Sequence, residues 1–164
     1  MLRDYSGITL VELVIVTGII VVLLSLAAVA FNNYQVRYNI ENEIKTLYSD
    51  IMGARMRAMN ENRPYVVKFT GTKSYVTAID NNGDGDFNAG DTRVDKYSKD
   101  GLKYDITYNL LGNTNRITLN SRGLLNINGS VRITRQNSSE YDCIVISNTR
   151  IKMGKWDGSE CNPR

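Results

Sequence analysis

The sequence predicts an α+β fold, with one long N-terminal helix packed on an antiparallel β-rich domain. Three observations predict it. No charged residue occurs between Leu13 and Phe31. Apolar residues then recur at alternating spacings of four and three from Ile40 to Ala58, the stripe of an amphipathic helix. After Pro64 the pattern switches to period two, rich in β-branched and aromatic residues, as strands require. The 164 residues carry a net charge of +3, too mild a basic excess to argue for nucleic acid by itself. There is no histidine, which excludes His-based triads, relays and zinc sites.

Residues 8–31 form the first helical part. At about 1.5 Å per residue the uncharged run reaches roughly 28 Å, close to the hydrocarbon thickness of a bilayer. It is longer than the apolar region of a cleaved secretory signal, which spans roughly 7–15 residues. One acid, Glu12, stands near its start. A plain anchor tolerates such an acid only because negative charge is favoured at a helix N-terminus.

Residues 32–63 continue the helix. Ile40, Ile44, Leu47, Ile51, Ala54 and Ala58 make the buried stripe, while Arg37, Glu41, Lys45, Asp50, Arg57 and Glu61 lie largely off it. No Gly/Ser/Pro linker interrupts the pattern, which favours one helix over an anchor, linker and separate domain. Arg63-Pro64 ends it, since the residue before proline disfavours the α region.

Residues 64–164 form the β-rich head. Strands are predicted at 65–69, 74–79, 93–97, 103–110, 116–119, 130–135, 141–147 and 150–156. The first two flank a short polar turn, Thr70–Lys73, and read as a hairpin. They build one antiparallel sheet, or two small ones, on the helix stripe. Most of the ten tyrosines read as sheet residues with the hydroxyl in solvent.

The run Gly7-Ile8-Thr9-Leu10-Val11-Glu12, followed by the long apolar segment, closely resembles the class III signal of type IV pilins and type II secretion pseudopilins. The resemblance implies a leader, residues 1–7, cut between Gly7 and Ile8 by a prepilin peptidase on the cytoplasmic side. It implies N-methylation of Ile8 and makes Glu12 the family glutamate, with a role in assembly. Ile8 replaces the commoner phenylalanine, and no proline lies between Ile8 and Arg63, so the stem is expected to be straighter than in many pilins. The stretch 47–69, with Ala54, Arg55, Ala58, Asn60 and Asn62, is similar to the H-type minor pseudopilins and FimT-like minor pilins. Implied partners are other pilin or pseudopilin subunits and an inner-membrane assembly platform. The implied location is the bacterial inner membrane, with the head in the periplasm, and then the filament.

Three further features carry chemistry. Asp80, Asn82, Asp84, Asp86, Asn88 and Asp91 fit positions one, three, five, seven, nine and twelve of an EF-hand-type calcium loop, with Gly85 at six. Asp86 would offer its backbone carbonyl. Asp91 stands where a bidentate Glu is usual, and the flanks read as strands rather than helices. A polar hairpin loop without metal is the competing reading. Cys143 and Cys161 suit one disulfide in an exported protein, against two free thiols. Arg132, Arg135, Arg150, Lys152 and Lys155, with Trp156 nearby, could line a DNA-binding groove or be solvated strand faces. Some FimT-like relatives act in DNA uptake.

No nucleophile–base pair, phosphate loop or catalytic metal set is visible, so an enzyme is not expected. The expected function is a minor pilin or pseudopilin of a type IV pilus or type II secretion pseudopilus. The alternatives are a DNA-binding minor pilin for DNA uptake and a membrane-anchored calcium-dependent adhesin.

Overall fold

The computed structural model describes residue 7, residues 9–135 and residues 139–164. One helix, α1, runs Leu10–Glu61 over 52 residues. The chain divides into two units, Met1–Val36 and Arg37–Arg164.

In the first unit the helix start is fixed by its own sequence. Thr9 Oγ1 accepts the N–H of Glu12 at 3.2 Å, the Thr-x-x-Glu arrangement of a capping box. Glu12 therefore stands in the first turn, where the helix dipole favours a carboxylate. Beyond it the large apolar side chains are exposed, Leu10 at 80%, Leu13 at 58% and Leu24 at 63%. The few polar side chains are turned inward on the backbone. Thr17 Oγ1 donates to the carbonyls of Leu13 and Val14, and Ser25 Oγ to that of Val22. Such bonds hide hydroxyls from hydrocarbon.

In the second unit the expected stripe is the helix's buried face. Ile40, Ile51, Ala54 and Ala58 are fully buried, and Ile44 and Leu47 nearly so. The helix ends in a Schellman turn. Asn62 adopts φ 52°, and the Arg63 N–H bonds back to the Ala58 carbonyl at 3.2 Å. Pro64 then prevents continuation.

Among the described residues ten strands follow: β1 (Tyr65–Phe69), β2 (Ser74–Ile79), β3 (Thr92–Arg93), β4 (Lys99–Asp100), β5 (Ile106–Leu110), β6 (Arg116–Leu119), β7 (Gly129–Ile133), β8 (Cys143–Ser147), β9 (Arg150–Trp156) and β10 (Cys161–Pro163). They form two sheets. The first has the order β3-β2-β1-β6, with β4 also paired to β2; the second has the order β10-β9-β8-β7-β5. All pairings are antiparallel. Phe69 stacks on Tyr108 with ring centroids 5.0 Å apart, joining the apolar faces of the two sheets.

The strand expected at 93–97 is instead a two-residue strand and a 3-10 helix, Asp95–Tyr97. Thr77 explains the break. Its carbonyl takes the Val94 N–H, while its own N–H and hydroxyl bond to Ser98 Oγ and the Tyr97 carbonyl. The expected strand 103–110 begins only at Ile106, because the Lys103 N–H is held by Glu43 of the helix at 2.6 Å. Tyr65 and Tyr75 are fully buried, not solvent-tipped. Their hydroxyls donate to Glu61 Oε2 at 2.8 Å and Asp50 Oδ2 at 2.7 Å. Buried tyrosines need such partners. With Glu41 accepting the Glu140 N–H at 2.8 Å, four helix carboxylates are tied to the head.

Candidate functional site

Four places carry the candidate residues. At the N-terminus, Gly7 is exposed and lies before the helix, and Glu12 is in its first turn. Ile8, the expected cleavage and methylation residue, lies outside the described residues. Among the described residues nothing covers the apolar side chains from Leu10 to Leu26 whose exposure is known. The helix is long and apolar enough to cross a membrane. The Thr9 cap was legible in the sequence as T-x-x-E, though the expected role of Glu12 did not use it.

The acidic loop folds back on the outer face of the first sheet. Asp80 is buried and takes the N–H groups of Gly83 and Gly85 at 2.7 and 2.9 Å. Asp84 takes the Asp86 N–H at 2.7 Å and the side-chain amides of Asn82 and Asn88 at 2.9 and 2.6 Å. Asp91 takes the Asn81 and Asn88 N–H groups at 3.0 and 2.8 Å. Gly83 and Gly85 both adopt φ 73°, which lets the chain reverse around Asp80 without strain. Asp86 turns out of this ring. It pairs with Lys68 at 2.7 Å and Arg116 at 2.9 Å, one from β1 and one from β6. The Lys68 ammonium, with the Phe87 N–H and Arg116, holds the Asp86 carboxyl below its ordinary value despite some desolvation. Asp86 thus clamps the loop to the sheet, which leaves only its backbone carbonyl for a calcium ion. Among the described residues no three carboxylates or thiols converge as a metal-holding cluster. An ion here would have to take Asp84 from the Asn82 and Asn88 amides.

The basic residues separate into two groups. Arg132, Arg135 and Lys155 line one cleft of about 420 Å³ with Trp156. Arg132 lies over the Trp156 ring, 4.1 Å from its centroid, and Arg135 lies 5.3 Å from the Tyr104 ring. Lys155 pairs with the buried Asp142 at 2.6 Å, so its charge is largely spent within the chain. Arg150 and Lys152 do not line the cleft. The pairing of β7, β8 and β9 puts both on the same sheet face as Arg132, and both are exposed.

Cys143 and Cys161 form a disulfide with Cα atoms 6.1 Å apart. It joins β8 to β10 over the intervening β9. The residue beneath the bridge is Gly154, opposite Cys143. A Cβ there would lie 3.0 Å from Cys161 Sγ and 2.8 Å from the Asn162 carbonyl carbon. The short β10, with Asn and Pro, gave no strand signal; the bridge and the β9 edge hold it in place.

The comparisons agree with this architecture. A family model described as type II transport protein GspH matches residues 43–150. Among solved structures, the chain is similar to the type IV minor pilin FimU of Pseudomonas aeruginosa strain PAO1. The identity is 16%, the match covers 79% of this chain and 99% of that one, and the TM-score is 0.57. At that identity the likeness is one of fold. No curated protein matches the chain. The family match begins within the amphipathic part of α1 and ends at the first residue of β9, so it takes in most of the framework of both sheets, and the chain belongs to the GspH family of pilin-like type II transport proteins.

Proposed function

We propose that the chain is a minor pseudopilin or minor pilin, cut between Gly7 and Ile8, that assembles into a filament through its N-terminal helix. The observation that carries this is the pairing of a long, uncovered apolar helix with a single carboxylate in its first turn. Cleavage would create a positive amine on Ile8. In an apolar filament core an isolated ammonium and an isolated carboxylate are each costly. A neighbouring subunit's Ile8 amine beside Glu12 neutralises both and fixes the axial register. The disulfide supports a head exported to an oxidising compartment, the periplasm. The role is structural, with no catalytic step.

The test is Glu12→Val, which keeps the helix apolar and removes the pairing group. Membrane insertion and cleavage are expected to persist while incorporation into sheared filaments is lost. Normal incorporation sinks the proposal. Mass spectrometry of the mature N-terminus checks cleavage and methylation. Recovery with sheared filaments also separates this role from a free-standing anchored adhesin.

A DNA-binding role is a second reading, supported by the Arg132–Trp156 stack and Arg135 beside it. It expects a salt-dependent gel shift that Arg132→Ala weakens; a flat response at low salt removes it. Calcium in the loop is a separate proposal, supported by the calcium-loop spacing of Asp80, Asn82, Asp84, Asn88 and Asp91. A melting temperature that rises in millimolar calcium, and falls back with chelator, supports it. No change refutes it.

A further inference from the structure

The outer face of α1 changes character partway along the head. At about 100° per residue, Met56 lies on the opposite side of the helix from the buried Ala54 and Ala58. That side of a surface helix is ordinarily polar. From Asn42 through Lys45 to Ser49 it is, and all three are exposed. From Met52 onward it is not. Met52, Met56 and Met59 follow one another at spacings of four and three, and Met56 and Met59 are 57% and 46% exposed. This second apolar stripe has helical spacing but lies on the solvent side.

A turn of the head extends the face. The Asn120 side chain accepts the N–H groups of Arg122 and Leu124 at 2.9 and 3.0 Å, and Gly123 between them adopts φ 72°. Gly123 packs directly on the helix: an added Cβ would lie 2.8 Å from Met59 Cγ and Sδ and 3.2 Å from Arg55 Cγ. Arg122 and Leu124 flank that contact, and both are exposed, Leu124 at 39%. The charge here has one sign. Among the described residues neither the Arg55 nor the Arg122 side chain has a carboxylate within ion-pair distance. Between Asp50 and Glu61 the helix has no acid. Those two are engaged elsewhere, Asp50 with the Tyr75 hydroxyl and Glu61 with the Tyr65 hydroxyl and Arg57.

We propose that this face docks an acidic amphipathic helix of a neighbouring filament subunit, an inference that rests on the filament role proposed above. The guest's apolar side chains cover Met52, Met56, Met59 and Leu124, and its carboxylates meet Arg55 and Arg122. Met52 to Met59 spans about 10 Å of a single helix, so a second helix laid alongside can pack ridge into groove. Methionine suits the task, because its unbranched, polarizable side chain repacks against differing partners. The two unpaired arginines supply the selectivity, since a basic helix would meet like charge.

The test uses the full chain in phosphatidylcholine nanodiscs, with the methionine methyl groups labelled for NMR, and three synthetic helical peptides. Each peptide has leucines at spacings of three and four; the flanking positions carry glutamate, glutamine or lysine. The glutamate peptide is expected to shift the signals of Met52, Met56 and Met59 and to leave that of Met153, in β9, unmoved. Arg55→Gln with Arg122→Gln should weaken the glutamate peptide by about tenfold, the size of two exposed ion pairs, and leave the glutamine peptide unchanged. Met56→Glu, at a solvent-exposed position, should abolish binding of the glutamate peptide at a normal melting temperature. No methionine shift with any peptide at millimolar concentration overturns the proposal. So does binding of the lysine peptide as tight as that of the glutamate peptide. This assay needs no filament, so its failure leaves the filament role to the Glu12→Val test. In cells, a photo-crosslinking residue in place of Met56 should join the chain to a different subunit in sheared filaments. Adducts only to a second copy of the chain, or only to lipid, overturn the proposal.

Discussion

Replacing Gly154 with alanine tests how the C-terminal strands are held. The disulfide crosses β9 at this residue, and the added methyl would sit 3.0 Å from Cys161 Sγ and 2.8 Å from the Asn162 carbonyl carbon. Carbon atoms in contact prefer about 3.5–4.0 Å, so β10 must move by close to 1 Å or leave the sheet. If it moves and the bridge still closes, the cost is that of overpacking, about 1–3 kcal/mol. If the bridge fails, the chain loses the restraint on a loop of separation 18. The chain-entropy relation puts that at about 3 kcal/mol. For a head of this size 1 kcal/mol moves the melting point by about 4 °C, so losing the bridge lowers it by about 12 °C. The assay is thiol titration of the unfolded full chain, with melting of the same preparation before and after reductant. The expected result is a lowered melting point, with free thiol in proportion to the larger losses. Complete oxidation with an unchanged melting point would refute the reasoning.

Other substitutions probe the helix and the clamp. Gly53 faces Tyr97, whose ring would lie 2.6 Å from an added Cβ; Gly53→Ala should destabilise by about 1–3 kcal/mol, read by denaturant unfolding. Gly18→Ala meets nothing within 4 Å and should leave head stability unchanged. Burial raises the Asp50 carboxyl above its ordinary 3.8, against the Tyr75 hydroxyl and Lys99. Its contribution is therefore complete below about pH 4 and is lost as pH rises through the raised value. Asp50→Asn keeps an acceptor for Tyr75, so its stability relative to the parent should improve from acid to neutral pH; the opposite trend rejects this. Asp86 has the reverse sign: its lowered carboxyl stabilises above about 3.8 and loses that as pH falls. The deficit of Asp86→Asn should accordingly be largest at neutral pH and shrink below pH 4 in melts across that range.

The parts of this fold legible in the sequence are those with a local period. Ile40 to Ala58 repeat at helical spacing because one face must be buried, and all of them are. Most strands were visible because side chains alternate. The failures share a different cause. Residues 93–97 carry strand-like composition, but Thr77 captures their backbone from another part of the chain. Tyr65 and Tyr75 look like surface residues until Glu61 and Asp50 are seen to accept their hydroxyls. Nothing local in the sequence marks Gly53, which makes room for Tyr97. At the candidate site, spacing alone predicted the loop's oxygens but not that Asp86 would be taken by Lys68 and Arg116. The basic C-terminal residues were visible as a run, yet only the folded cleft separates Arg132, Arg135 and Lys155, which line it, from Arg150 and Lys152, which do not.

The bridge between β8 and β10 also has a mechanical meaning. In the proposed filament role the subunit would carry tension, and an edge strand such as β10 is the easiest to peel. Cys143 and Cys161 enclose β9 and its turns in a covalent ring of separation 18. At about 3.4 Å per extended residue, the ring withholds roughly 60 Å of chain from any pull that reaches this end of the head. Under load the head would stretch from elsewhere first, and its last hairpin would remain intact as a knot in the line.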